Sequence, residues 1–148
     1  MMTYIFFLVI LFLWLISGIL FPFDSSFYYS LNLPKFTPPS ILFAIIWPIL
    51  YFLLTLSFFI IFKKDKVNRH YLFAYILNYI LNQSFSLFFF YQKNLILTFY
   101  DIILLLFSTI YLLKETKKVN KISFYLLLPY LLWTIFATIL FGTIYFIN

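Results

Sequence analysis

The chain has 148 residues, of which 66% are hydrophobic and only 9% are charged. Soluble domains carry roughly 25% charged residues, so this chain has too few charges to cover a water-exposed surface, and lipid must cover it instead. It contains no cysteine and one histidine, which excludes disulfides, cysteine nucleophiles and a polyhistidine metal site within one chain. The net charge of +6 comes mostly from two short basic segments of the kind found at membrane surfaces, so we expect no nucleic-acid partner.

Five apolar segments are long enough to cross a bilayer as helices, which requires about 20 mostly apolar residues. They are apolar on all sides, whereas the strands of a membrane barrel alternate polar and apolar residues. We therefore predict an all-α membrane protein, a bundle of five transmembrane helices in a single domain over residues 1–148. The predicted helices cover residues 3–20, 41–62, 71–91, 95–113 and 122–147.

Residues 24–40 connect the first two predicted helices and are rich in aromatic residues and proline. Pro34, Pro38 and Pro39 stiffen this segment, and its composition is less polar than that of a disordered loop. We expect it to be ordered and to pack over the helix ends as a lid. The alternative is an aromatic belt at the membrane interface.

Basic residues concentrate in two of the predicted connections. In a protein with five helices these two connections lie on the same side, and Lys and Arg in short loops favour the cytoplasm. We predict an integral protein of the bacterial inner membrane, with its N-terminus in the cytoplasm and its C-terminus outside. The basic residues are Lys63, Lys64, Lys66 and Arg69 after the second helix, and Lys114, Lys117, Lys118 and Lys121 after the fourth.

Polar side chains within the predicted helices are the candidates for a binding site. A carboxamide that faces lipid is costly, so Asn82 should point into the bundle, where it could join helices or bind a ligand. Trp47 and Tyr51 lie one turn apart on one face of the second helix, an arrangement that more often reflects packing than binding. Asp101 is the one acidic residue well inside a predicted span, and it could form a proton site or a structural hydrogen bond.

Patterns typical of catalysis are missing from the sequence. It has no histidine–carboxylate–nucleophile set, no Gly-rich phosphate loop and no pair of carboxylates. Thr134, Thr138 and Gly142 form a stripe in the fifth helix that is typical of close helix packing. We therefore expect a protein that is not an enzyme and requires no cofactor.

Three sequence blocks, in a fixed order, cover nearly the whole chain. They are residues 27–39 with Phe43, Trp47 and Leu50-Tyr51, then Leu81-Asn82 with Phe85 and Phe89-Phe90, then residues 129–133 and 136–138 with Leu140. Together with five helices of this length, these blocks resemble the translocator protein family, also called tryptophan-rich sensory proteins or peripheral-type benzodiazepine receptors. Asp101 stands where this family carries an aspartate in its fourth helix.

The resemblance implies a five-helix bundle, often a homodimer, with a pocket open toward the end that the first loop covers. It implies protoporphyrin, haem or a synthetic benzodiazepine-type compound as ligand, and a sensor, carrier or scavenger as function. Lys35 in the loop would be a partner for a propionate. The pocket residues implied by the matching positions are Phe27, Tyr28, Pro38, Pro39, Trp47, Tyr51, Asn82, Phe85, Phe89, Trp133, Ala137 and Leu140.

The chain departs from this family at several aromatic positions. It has only three tryptophans. Phe27 and Phe85 stand where Trp is common, and Phe141 stands where many members have Asn. Some bacterial members promote light-driven breakdown of bound porphyrin, attributed to tryptophans whose positions here are Phe27 and Gly142. Since neither residue supplies an indole, we predict weak or no photodegradation.

Three other functions stay open on the sequence alone. A photochemical enzyme that degrades porphyrin would use Trp47 and Trp133, which remain in place. A small proton-coupled exporter would use Asp101. The third is a helical subunit that packs into a larger complex.

Overall fold

The computed structural model describes residues 2–64 and 67–148. Within these residues the chain is helical and contains no strand, which confirms the predicted all-α class. The elements are α1 (Met2–Leu20), α2 (Ser25–Ser30), α3 (Ser40–Lys64), α4 (Arg69–Ser86), a π-helical turn (Leu87–Tyr91), α5 (Leu95–Val119) and α6 (Lys121–Ile147).

Four helical segments are long and apolar enough to cross a membrane: α3, α4 with its π-helical turn, α5 and α6. The described apolar part of α1, Tyr4–Leu20, is slightly shorter. Large apolar side chains of all five long helices face outward, which is favourable only where lipid covers them. The chain is therefore an integral membrane protein, and α2 lies in the connection between α1 and α3.

Three asparagines determine where α4, α5 and α6 begin. The side-chain oxygens of Asn68, Asn94 and Asn120 accept hydrogen bonds of 2.8, 3.0 and 3.0 Å from backbone N–H groups in the first turns of these helices. An asparagine at this position satisfies a backbone donor that the helix itself leaves unpaired. The polar connections between the apolar spans therefore also act as helix-initiation signals.

Helix α5 extends beyond its predicted end at residue 113 and reaches Val119, so residues 114–119 do not form the predicted loop. Glu115 and Thr116 turn inward and are buried, whereas the three lysines of this turn stay exposed. Glu115 also pairs with Lys118 at 2.6 Å. The prediction failed here because an amphipathic last turn continues the helix beyond the apolar segment. Asn120 alone then separates α5 from α6, as the C-cap of one and the N-cap of the other.

A π-helical turn closes α4. The backbone N–H of Gln92 donates to the Leu87 carbonyl at 2.9 Å, a wider turn than that of an α-helix. Phe89 within this turn is fully buried. Lys93 follows with φ of 53°, in the left-handed region that few residues other than glycine adopt. This bend completes the short connection to α5.

Helices α5 and α6 pack closely because small side chains lie between them. The Thr138 hydroxyl donates to the Thr134 carbonyl at 2.7 Å, with the Ile102 carbonyl of α5 at 3.4 Å. A Cβ atom added to Gly142 would lie 3.7 Å from the ring of Phe99. The threonine–glycine stripe is therefore a surface for helix packing.

Candidate functional site

A series of buried hydrogen bonds joins the helices near the centre of the bundle. The Tyr51 hydroxyl of α3 donates to Asn82 Oδ1 of α4 at 2.8 Å. Asn82 Nδ2 donates in turn to the Tyr130 hydroxyl of α6 at 3.2 Å. The Asn82 amide therefore joins three helices, the first of the two roles that the sequence left open.

The same series continues to α5 through a second asparagine. The Tyr130 hydroxyl donates to Asn78 Oδ1 at 2.9 Å. Asn78 Nδ2 donates to the hydroxyls of Ser108 and Thr109, both at 2.9 Å. Because hydrocarbon offers no alternative partners, these bonds favour one relative rotation of the four helices.

One end of this hydrogen-bonded series meets a cavity of about 500 Å³ that is lined mainly by α1, α3 and α4, with Tyr28 of α2 and Phe141 of α6 completing the wall. Its walls are mainly aromatic and aliphatic, and none of the described residues that line it carries a charge. Ligand pockets typically have this size and character. The lining residues are Leu15, Ser17, Gly18, Phe21, Phe23, Tyr28, Ser40, Ile41, Phe43, Ala44, Trp47, Pro48, Tyr51, Asn82, Phe85, Ser86, Phe90 and Phe141.

The cavity brings together five of the pocket residues implied by the resemblance. Tyr28 comes from α2, Trp47 and Tyr51 from α3, and Asn82 and Phe85 from α4. Asn82 thus both joins helices and faces the cavity. The other implied residues do not line it: Phe27, Pro38, Pro39, Phe89, Trp133, Ala137 and Leu140.

The implied residues of α6 lie elsewhere for two physical reasons. Ala137 and Leu140 are buried in a core cluster with Phe89 and Phe141, and of these four only Phe141 lines the cavity. Trp133 instead lines a separate apolar groove of about 390 Å³ between α3 and α6. Which of these positions bind a ligand stays a prediction.

Three of the implied loop residues, Phe27, Pro38 and Pro39, do not line the cavity. The Phe27 ring lies 5.4 Å from that of Phe89, with the Lys93 ammonium 5.5 Å from its centroid. Pro38 is half-buried and Pro39 is exposed. The contacts of Phe27 hold the loop against the end of α4, so this ring does not face the cavity.

The sequence analysis missed the contribution of α1. Trp14 is almost fully buried, stacks on Tyr51 at a centroid distance of 5.4 Å and donates from Nε1 to the Tyr75 hydroxyl at 2.7 Å. Trp14, Ser17 and Gly18 have the i, i+3, i+4 spacing of one helical face, a signal that could have been found. The α1 residues that line the cavity are Leu15, Ser17 and Gly18, and Phe21 follows directly after the helix.

Residues 24–40 form a lid that is held on two sides. On one side Asp24 caps α2 by accepting from the Phe27 N–H at 2.9 Å and pairs with the Lys93 ammonium at 2.8 Å. On the other side the Asn32 N–H donates to Asn148 Oδ1 at 2.8 Å. Asn148 Nδ2 donates back to the Asn32 carbonyl at 3.0 Å. The lid is thereby attached to the turn before α5 and to the end of α6.

Tyr28 of α2 is the residue of this short helix that lines the cavity. Its side chain is 1% exposed, and its ring lies 5.3 Å from Phe23 and 6.2 Å from Phe43. Burial raises the pKa of Tyr28 to about 12, so the hydroxyl is a neutral donor at physiological pH. This hydroxyl is enclosed and has no hydrogen-bond partner in the part of the chain that the structure describes.

The attachment of the lid to Lys93 should survive mild acid. The hydrogen bond from Lys93, followed by those from the Ser26 hydroxyl and the Phe27 N–H, holds the pKa of Asp24 well below its usual range. A lowered pKa contributes stability that is present above the unfolded value and is lost as the pH falls through the folded value. We therefore expect amide exchange in α2, corrected for its intrinsic rate, to be unchanged between about pH 8 and about pH 5.

The control for this exchange experiment is Asp24→Asn, which removes the charge and the ion pair with Lys93. Its α2 amides should exchange faster than those of the wild type at both pH values. Faster corrected exchange of the wild type at about pH 5 would contradict the expectation.

Asp101 of α5 is buried but does not line the cavity. Its Oδ1 accepts from the Ser84 hydroxyl of α4 at 2.7 Å, and its Oδ2 has no hydrogen-bond partner among the residues described. The carboxyl group therefore joins α4 to α5, which is the structural role considered for it.

Comparison with known proteins places this arrangement in a family. The chain is 42% identical over 137 residues to the tryptophan-rich protein TspO of Bacillus cereus, covering 92% of this chain and 90% of that protein. It is 42% identical over 134 residues to the uncharacterized membrane protein YtaB of Bacillus subtilis, covering 89% of this chain and 86% of that protein. It is 34% identical over 125 residues to the tryptophan-rich protein TspO of Archaeoglobus fulgidus, covering 84% of this chain and 81% of that protein. The profile of the TspO/MBR family matches residues 5–146, from α1 to the end of α6, and the chain belongs to that family.

Proposed function

We propose that the chain binds porphyrin-like and other flat hydrophobic ligands beneath the lid and acts as a sensor, carrier or scavenger. The observation that carries the proposal is the cavity of about 500 Å³, whose wall combines aromatic rings with few polar groups. Trp47 and Phe85 offer ring surfaces to a flat molecule. Ser17, Asn82 and Ser86 place polar groups in the same wall. A few placed polar groups in an apolar wall are what such sites need.

The absence of charge from the described wall indicates how a porphyrin would lie. Burying an unpaired carboxylate carries a large desolvation penalty, so the propionates should stay at the surface of the lid while the apolar disc enters. Lys35 is exposed on the lid and is the candidate partner for a propionate. Lys93 is already paired with Asp24.

Titration of the purified protein with protoporphyrin tests the proposal, with porphyrin absorbance and quenching of tryptophan fluorescence as readouts. Asn82→Leu removes an amide from the cavity wall, whereas the matched control Asn78→Leu removes an amide from the same hydrogen-bonded series away from the cavity. We expect saturable binding that weakens about tenfold in Asn82→Leu and much less in Asn78→Leu. A third variant, Trp47→Phe, removes a ring of the wall and also a fluorescent tryptophan. Its affinity for protoporphyrin is therefore measured by porphyrin absorbance. Non-saturable partitioning that no variant changes would overturn the proposal.

Bound protoporphyrin should be stable to light. The loop position Phe27 and the α6 position Gly142 carry no indole, and Gly142 lies against Phe99 rather than the cavity. Trp47 is the one tryptophan among the cavity-lining residues described. We expect porphyrin absorbance to fall under illumination no faster than in a detergent control. Rapid loss that Trp47→Phe abolishes would instead favour the photochemical enzyme.

A proton-coupled exporter that uses Asp101 is the second candidate. The observation in its favour is the Asp101 Oδ2 atom, which is buried without a partner among the described residues. Substrate-driven proton flux in proteoliposomes, lost in Asp101→Asn and retained in Ser84→Ala, would support this function. Flux that is the same in both variants and in empty liposomes would exclude it.

We also propose a homodimer in the bacterial inner membrane with a cytoplasmic N-terminus. The described basic residues at the end of α3, the start of α4, the end of α5 and the start of α6 support this orientation. Lys66 lies outside the described residues. Because the chain has no cysteine, Lys117→Cys supplies a single thiol, and its labelling from the outside only would contradict the orientation.

A further inference from the structure

Two aromatic rings close the cavity on the side of α6. Phe85 of α4 and Phe141 of α6 meet with their centroids 4.7 Å apart and their planes at 71°, a favourable edge-to-face contact. Both side chains line the cavity, and they are 8% and 6% exposed. They therefore form one continuous part of its wall.

The residues behind these rings are sealed from the cavity. Phe89 is fully buried and packs against both rings. The centroid of its ring lies 5.8 Å from that of Phe85 and 4.9 Å from that of Phe141. Ala137 and Leu140 are also buried in this cluster, and neither lines the cavity. The interior of the bundle is thus divided into an open chamber beside α1 and a packed region beside α5.

Phe141 occupies the central position in this division. From α6 its ring approaches Phe43 of α3 at 6.4 Å, as well as Phe85 and Phe89 at the end of α4. The three contacts come from two different helices, so they hold the ring across the gap between them. Phe85, by contrast, stacks on Phe89 within its own segment, with an interplanar angle of 19°.

We propose that Phe141 determines the size of ligand that this chain accepts. Its ring confines the ligand to the chamber among α1, α3 and α4 and keeps it from Ala137 and Leu140. The inference rests on the proposed function, because it names the size class of the ligand at the same site. That class is a flat apolar molecule that the chamber holds without entering the packed region around Ala137 and Leu140.

Removal of the Phe141 ring would join the packed region to the cavity. A void left by a deleted side chain collapses only partly, so a large disc would gain buried contact with Leu140. A small ligand would lose the contact it makes with the ring. The ratio of the two affinities therefore measures how far the Phe141 ring selects ligands by size. Effects of a substitution that are common to both ligands cancel in this ratio.

The experiment measures binding of porphine, a four-ring disc without carboxylates, and of naphthalene to the protein in lipid nanodiscs. Equilibrium dialysis against empty nanodiscs removes the contribution of partitioning. We expect Phe141→Ala to raise the ratio of porphine to naphthalene affinity about tenfold, and Phe141→Leu about twofold. The matched control Phe124→Ala, a half-buried phenylalanine near the start of α6 that neither lines the cavity nor packs against the cluster around Phe141, should leave the ratio unchanged.

A second substitution, Leu140→Ala, tests whether Phe141 separates residue 140 from the ligand. Leu140→Ala should not change porphine affinity in the wild-type background, where Phe141 shields residue 140, but should lower it severalfold together with Phe141→Leu or Phe141→Ala. If Phe141→Ala does not fold, the Phe141→Leu series decides the question alone. An unchanged affinity ratio, or the same effect of Leu140→Ala in both backgrounds, would overturn the inference while porphine binding by the wild type upheld the proposed function. Failure of every folded variant to bind either probe saturably would overturn both.

Discussion

Replacing Asn78 by leucine should lower the free energy of unfolding by about 2 kcal/mol, the largest loss of stability that we expect from one side chain here. Asn78 makes three hydrogen bonds to two other helices, with Tyr130, Ser108 and Thr109. A hydrogen bond between membrane helices is worth on average about 0.6 kcal/mol. The substitution removes three of them and leaves the Tyr130 hydroxyl without its acceptor.

Unfolding in mixed micelles with increasing dodecyl sulfate, followed by tryptophan fluorescence, measures this loss. Thr134→Val is the matched control, because the Thr134 hydroxyl is also fully buried but bonds only to carbonyls of its own helix, Tyr130 and Leu131. We expect its effect to be less than half as large. Equal losses in the two variants would show that the bonds between helices do not stabilise the bundle.

Replacing Gly18 by leucine should reduce ligand affinity at least tenfold without reducing stability. Gly18 lines the cavity, and a Cβ atom at this position would meet no atom within 4 Å. The leucine side chain therefore has room and occupies the space of the ligand, a steric conflict of about 1–3 kcal/mol. The helix itself should gain nearly 1 kcal/mol, because glycine is a poor helix former.

Protoporphyrin titration and thermal unfolding of the same preparation separate these two effects. The chain has two glycines, and Gly142→Ala provides the matched control, since its added Cβ atom would make an ordinary contact with Phe99 away from the cavity. It should leave affinity unchanged. Wild-type affinity in a folded Gly18→Leu protein would mean that the ligand binds outside this cavity.

The cavity and the stability of the bundle are linked through two residues. Tyr51 and Asn82 line the cavity and are also bonded to each other at 2.8 Å. A ligand that hydrogen-bonds to the Asn82 amide must therefore compete with bonds that join α4 to α3 and α6.

The sequence by itself determined the class of the protein and the places where its helices lie. A span of about 20 apolar residues is a local property, and so is an asparagine that caps the first turn of a helix. The ordered motif blocks likewise depend only on residue type and spacing. The predicted end of α5, residue 113, lies before the observed end at Val119 because the following residues Glu115 and Thr116 are polar. Both side chains are buried against the bundle, a tertiary contact that the local sequence does not reveal.

Only the tertiary structure decided which side chains face the cavity. In a helix that is apolar on all sides, residues that face lipid and residues that face the interior have the same character, so no periodicity separates them. Polar residues are the exception, because lipid excludes them, and Asn82 was correctly expected to point into the bundle. Leu140 and Phe141 are adjacent and both apolar, yet one is sealed behind the cavity wall and the other forms it. That difference depends on the rotation of α6 against α3 and α4, which no local pattern records.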